Sequence, residues 1–130
     1  MSEPLSVDLG SFGSVQLIRL RGDLCYGQNL TAVHDVVSEL RRTGHDRLIV
    51  DLGAVRALDS SGFSALLDIR RTFGDSRDHV ILLRPSDRVR GALAAMRVAS
   101  LFAVVDDEAD LPERIGGRVT PPAHRERRLS

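Results

Sequence analysis

The chain contains no lysine: all 18 of its basic residues are arginine. That absence excludes a catalytic lysine, and with it Schiff-base chemistry and phosphate binding of the Walker type. Use of a single cation throughout fits a GC-rich coding composition better than a chemical demand, because arginine and lysine differ only at special sites. One cysteine, Cys25, excludes an intrachain disulfide and a Cys-based zinc cluster. The 18 acidic residues balance the basic ones, so the basic surplus of a nucleic-acid binder is missing and no direct nucleic acid binding is expected. No apolar run approaches the length of about 20 residues that spans a bilayer, which argues against membrane insertion. The opening Met1-Ser-Glu-Pro-Leu5 has neither a basic n-region nor an apolar h-region. The expected compartment is cytoplasmic.

What is present is ordinary for one globular domain: 130 residues, 42% hydrophobic and 28% charged, enough for a core but too few for two domains. Residues 1–117 read as that domain. Beyond Gly116-Gly117 the tail 118–130, rich in arginine and proline, has no periodicity and reads as disordered.

Two apolar segments, Leu5–Leu9 and Val15–Leu20, flank Gly10-Ser-Phe-Gly-Ser14 and suggest an edge hairpin. From an N-cap at Asn29 or Thr31, residues Leu30, Val33, Val36, Val37 and Leu40 recur at helical spacing. Arg41 and Arg42 fall in the last turn and Gly44 stops the helix. Leu48–Leu52 is apolar except at Asp51, the mark of a strand covered on both faces. A second helix spans about Ser61 to Phe73 and ends at Gly74; His79–Leu83 is another buried strand. Pro85-Ser-Asp87 starts a third helix with Val89, Leu93, Met96 and Val98 on one face. Leu101–Val105 is a short strand, and Asp106–Ile115 a last helix. The order ββ-α-β-α-β-α-β-α implies an α/β layer structure with parallel or mixed strands.

The stretch Leu48–Phe63 concentrates the functional signal. A buried strand gives way to Asp59-Ser60-Ser61-Gly62 at the start of an apolar helix, where backbone N–H groups and the helix dipole favour negative charge. A serine there either caps the helix, worth about 1 kcal/mol, or carries a phosphate without breaking the fold. There is no P-loop and no Gly-x-Ser-x-Gly elbow. His34, His45, His79 and His124 are scattered without metal-ligand spacing. Asp106-Asp107-Glu108 reads as a helix N-terminal acidic cluster.

Leu48–Leu67 closely resembles the STAS domain of bacterial anti-sigma factor antagonists, in which a strand ending in Asp-Leu leads to Asp-Ser-Ser-Gly or Asp-Ser-Thr-Gly and an apolar helix. Leu20-Arg-Gly-Asp-Leu24 resembles the family's Gly-Glu-Leu/Ile turn, and Pro85-Ser-Asp87 through Leu101-Phe102 its Pro-Ser helix and Leu-Phe strand start. The likeness covers about residues 5–115. It implies a STAS-like mixed β-sheet with about four helices packed on it, no enzymatic activity and no cofactor. The phosphoacceptor falls on Ser60, Ser61 is the second hydroxyl position, and Asp59 orients the turn. Gly62 is the small residue permitting close partner approach; Asp23, Cys25 and Phe63 complete the expected partner-binding set. The implied partners are an anti-sigma factor with serine-kinase activity, which the unphosphorylated form binds to free a sigma factor, and a PP2C-type phosphatase. Two departures stand out: Cys25 replaces an aspartate that often follows Gly-Glu-Leu, and Arg97 replaces a glycine near the end of the third helix.

Two other readings compete. The domain could serve as a scaffold, or as an accessory subunit of a transporter or stress-signalling complex, without phospho-regulation. A small enzyme or nucleotide binder using Ser60 as nucleophile would need a base, and no histidine lies near it in sequence.

Overall fold

Two faces of one sheet divide the apolar residues of the chain. The computed structural model describes residues 3–74, 79–97 and 99–114. The strands lie side by side in chain order: β1 (Ser6–Phe12), β2 (Val15–Leu24), β3 (Leu48–Leu58), β4 (Val80–Leu83) and β5 (Ala103–Val105). β1 is antiparallel to β2, and every later neighbour is parallel, so the sheet is mixed. The crossovers are α1 (Leu30–Arg42), α2 (Ser60–Phe73) and α3 (Asp87–Ala95). Right-handed crossovers that always step the same way across a sheet must all lie on one face. Accordingly Val33, Val37, Leu66, Ile69, Phe73, Val89 and Leu93 bury against Ile18, Leu20, Val50, Leu52 and Leu82 in one cluster. The opposite face gathers Leu17, Ile49, Ile81, Leu83 and Val105 with Phe12 and with Leu111 of the single-turn helix α4 (Leu111–Arg114). This explains the nearly continuous apolar run Leu48–Leu52 of β3, which is buried on both sides.

Asp51 interrupts that run and is 0% exposed. Its Oδ2 accepts from Arg19 Nε and Arg84 Nη2, each at 2.9 Å, and its Oδ1 accepts from the Gly53 N–H at 2.9 Å. Burial alone would raise its pKa; the Gly53 N–H and the two guanidinium groups outweigh it and hold the carboxyl below its ordinary value.

Several boundaries differ from the sequence reading. The hairpin turn is only Gly13-Ser14, with Gly13 at φ 61°, so both strands run longer than expected. β3 continues from Leu52 to Leu58 because Ala54, Val55, Ala57 and Leu58 find partners in Arg21, Gly22, Asp23 and Leu24. A 3-10 turn at Ala99–Leu101 delays β5 to Ala103. The expected helix at 106–115 is instead a 3-10 turn, Glu108–Asp110, capped by Asp107 and followed by α4. Among the described residues three full helices and one short one therefore stand where about four were expected. Val98, Ile115 and the tail 118–130 lie outside the described residues. α3 ends with Met96 as its C-cap, and Arg97 follows at φ 59°. That left-handed backbone gives a physical reason for glycine there, and arginine pays about 1 kcal/mol for it.

Candidate functional site

The extra length of β2 and β3 builds the site. Parallel pairing carries Leu24 and Leu58 to the same end of the sheet, and the chain leaves both strands there. Openings at the carboxyl ends of parallel strands are where α/β folds expose loops and helix N-termini to ligands and partners. The loop after β2 and the N-terminus of α2 meet at this point.

Asp59 fastens the two together. It adopts an extended backbone, φ −115° and ψ −172°, and is the N-cap of α2: its Oδ1 accepts from the Gly62 N–H at 2.9 Å. Its Oδ2 accepts from the Tyr26 N–H, also at 2.9 Å, and its own N–H donates to the Leu24 carbonyl at 3.4 Å. The Gly62 and Tyr26 N–H groups stabilise the ionised carboxylate and lower its pKa against a slight opposing effect of burial. Asp59 thus ties the loop after β2 to the first turn of α2.

Capping by Asp59 leaves the neighbouring serines to other uses. Ser60, the first residue of α2, is exposed. Ser61 is half-buried and lines a groove of about 290 Å³ between α1 and α2, with Thr31, His34, Ser64 and Asp68 also on its walls. Gly62, expected as the small residue permitting close partner approach, is tightly packed within the fold itself. It is buried, and a Cβ there would lie 1.8 Å from the Leu24 carbonyl oxygen and 2.9 Å from Leu58 Cδ1. Its small size serves the close approach of α2 to the end of β2. Phe63 is half-buried and packs against the core beneath the helices, so only its outer part is open to a partner.

Asp23 and Cys25 sit on the same end of the sheet. Asp23 is engaged by the segment ahead of β1: its Oδ2 accepts from the Glu3 N–H at 3.0 Å, and its N–H donates to the Glu3 carbonyl at 3.1 Å. Glu3 also pairs with Arg56 at 2.9 Å, while the Leu5 N–H donates to Gln28 Oε1 at 3.1 Å. The N-terminal segment therefore clasps the site end of the sheet. Burial pushes the Cys25 thiol up, and the carboxylates of Asp59 and Asp23 add to the rise. A protonated thiol is a poor nucleophile.

The sequence reading missed Tyr26. Its side chain is 84% exposed while its N–H is tied to Asp59, so an aromatic ring stands out beside the Ser60 turn. The lone tyrosine of the chain, followed by Gly27 in a loop, was the available signal. Among the described residues no group of three or more His, Cys, Asp or Glu side chains could hold a metal ion, and no helix is long and apolar enough to cross a membrane.

Comparison with known proteins agrees with this fold. Two solved structures of SpoIIAA share the fold. The unphosphorylated anti-sigma factor antagonist superposes with a TM-score of 0.68 at 20% identity, covering 89% of this chain and 99% of that one. The phosphorylated form of the Bacillus cell fate determinant SpoIIAA gives 0.63 at 20% identity, covering 85% and 99%. A Thermotoga maritima protein described as a candidate anti-sigma factor antagonist gives 0.67 at 15% identity, covering 85% and 93%. No curated protein matches the sequence significantly. The family model of the STAS domain matches residues 7–111, and the chain belongs to the STAS-domain family.

Proposed function

We propose that this protein is an anti-sigma factor antagonist whose partner binding is switched by phosphorylation of Ser60. The observation that carries the reading is the division of labour at the start of α2. Asp59 satisfies the helix N-terminus, and Ser60 beside it stays exposed. A phosphate on Ser60 adds about −1.5 to −2 charges and three acceptor oxygens at a helix end that tolerates them. The fold survives, and the cost falls on whatever docks over Ser60, Tyr26 and the adjoining loop. A penalty of about 3 kcal/mol at that interface lowers affinity roughly a hundredfold. In this reading the unphosphorylated form binds an anti-sigma factor with serine-kinase activity and frees a sigma factor. The kinase then inactivates the protein with ATP, and a PP2C-type phosphatase restores it. The protein is substrate and ligand, and it catalyses nothing.

The existence of SpoIIAA in an unphosphorylated and a phosphorylated form, both on this fold, supports a switch of this type. Intact-mass analysis after incubation with ATP and each candidate kinase of the same genome tests it. One added phosphate that vanishes in Ser60→Ala is the expected result. A stable kinase complex that never phosphorylates the protein would overturn the switch and leave a constitutive scaffold.

A further inference from the structure

The two edges of the sheet are treated differently by the sequence. β5 is three residues long, with 3-10 turns close by on either side, and so offers little to pair with. β1 is seven residues long, contains no proline, lysine or arginine, and pairs with β2 without a bulge. Among the described residues no strand covers its outer edge. Natural edge strands are usually blunted by such devices, and an edge without them is a template for another strand. Midway along β1 stands Leu9, 61% exposed.

Hairpin geometry decides which backbone groups are open. The two-residue loop Gly13-Ser14 makes Phe12 and Val15 a hydrogen-bonded pair. Bonding to β2 then alternates, through Gly10–Leu17, Asp8–Arg19 and Ser6–Arg21. The N–H and C=O groups of Val7, Leu9 and Ser11 therefore point away from the sheet. These three positions are symmetric about Leu9. A two-fold axis through Leu9 pairs Leu9 with its own copy and Val7 with Ser11 of the copy, forming about six backbone hydrogen bonds. Asp8, the strand's one charge, falls opposite Gly10, so no like charges face each other directly, and it is already paired with Arg21 at 3.5 Å.

We propose that the outer edge of β1 is a homodimer interface, in which two copies join antiparallel about Leu9 to form a continuous ten-stranded sheet. The occupant is a second copy because the strand is complementary to itself in hydrogen-bond phase, in charge and at its exposed leucine. Antiparallel joining sends the two Ser60 turns to opposite ends of the dimer, where both stay open. Dimerisation is thus independent of the state of Ser60.

Sedimentation equilibrium of the full chain from about 10 μM to about 1 mM tests the interface, because backbone pairing with one leucine contact gives an affinity of that order. The mass is expected to rise with concentration from 14.2 kDa toward twice that value, and Ser60→Asp should follow the same curve. Leu9→Arg, a change at an exposed position, should keep the circular dichroism spectrum and remain monomeric throughout. Register is tested separately in a Cys25→Ser background. Leu9→Cys should cross-link to its own copy under mild oxidation at least tenfold faster than Asp8→Cys, because paired Cα atoms about 5.5 Å apart suit a disulfide. A wild-type monomer across the whole range, a dimer that survives Leu9→Arg, or equal cross-linking at the two positions would each overturn the proposal.

Discussion

β3 and the residue just after it supply two aspartates that end up in opposite circumstances. Asp51, in its middle, is fully buried between two guanidinium groups on the sheet face away from the three long helices. Asp59, one residue past its end, lies near the surface and is held by two backbone N–H groups. Both carboxyls titrate below their ordinary value, for different reasons. Asp51 overcomes its burial with charge partners and one N–H, and it binds β2, β3 and the end of β4 together. Asp59 has little burial to overcome and binds a loop to a helix. One aspartate is therefore committed to the fold and the other to the shape of the site. The contrast separates substitutions that unfold the protein from those that change what it recognises.

Asp51→Ala is the sharpest test and the largest expected loss. It strips Arg19 and Arg84 of their shared partner and leaves the Gly53 N–H without its acceptor. Breaking a buried pair costs about 3–5 kcal/mol, but both arginines are nearly half exposed and regain solvation, which brings the expectation to about 2–3 kcal/mol. Urea denaturation at neutral pH measures it. The pH dependence follows from the direction of the shift. A carboxyl whose native pKa is lowered contributes stability that is fully present above its unfolded value of 3.8 and is lost as pH falls through the native one. The wild type should therefore lose stability in acid more steeply than Asp51→Ala. Parallel acid limbs would mean that the Asp51 carboxyl has the same pKa in the native and unfolded states.

Gly62→Ala attacks the other end of the comparison. The new methyl would collide with the Leu24 carbonyl, and a backbone atom cannot swing aside, so α2 must move off the end of β2. A destabilisation of about 1–3 kcal/mol is expected, together with weakened protection of the Tyr26 and Gly62 amides in hydrogen exchange. If stability falls but those amides keep their protection, the tight junction is not what shapes the site.

These two positions also show where a sequence reading ends. The stripes of α1 and α2, the two-sided burial of Leu48–Leu52 and the hydroxyls of Asp59-Ser60-Ser61-Gly62 are local patterns, and they were legible. The outer half of β3 was not. Gly53-Ala-Val-Arg-Ala57 has weak strand propensity and becomes a strand because the end of β2 lies beside it. The role of Gly62 depends on a carbonyl 38 positions earlier in the chain, and the clasp of Glu3 on Asp23 crosses 20 positions. Such contacts are set by topology, which period and composition do not encode.

Asp59→Ala should cost less than either change above. It removes an N-cap, worth about 1 kcal/mol, and frees the Tyr26 N–H, which is exposed enough to bond water instead. The informative readout is the loop: the Tyr26 amide should exchange near the rate of an unstructured chain while the core amides of β3 stay protected. Asp59→Asn keeps one acceptor oxygen and should restore the helix cap in preference to the Tyr26 tether. If both variants leave the Tyr26 amide protected, the link between the two elements lies elsewhere.

The smallest expected effect on stability belongs to Ser60→Asp, and that smallness is the point. Ser60 is exposed and, with Asp59 as the cap, bears no cap of its own. A negative charge there is favoured by the N-terminus of α2 and opposed by the neighbouring Asp59 carboxylate, two contributions of a few tenths of a kcal/mol with opposite sign. The urea midpoint should stay within about 0.5 kcal/mol of wild type. Partner affinity should nevertheless fall, because a docked surface over this turn would have to cover two adjacent carboxylates in place of one. Calorimetric titration with the kinase captured in the intact-mass experiment measures that loss directly. A variant that folds like wild type and binds like wild type would place the docking surface away from Ser60. One that binds poorly because it has lost stability would show that Ser60, like Asp51, belongs to the fold.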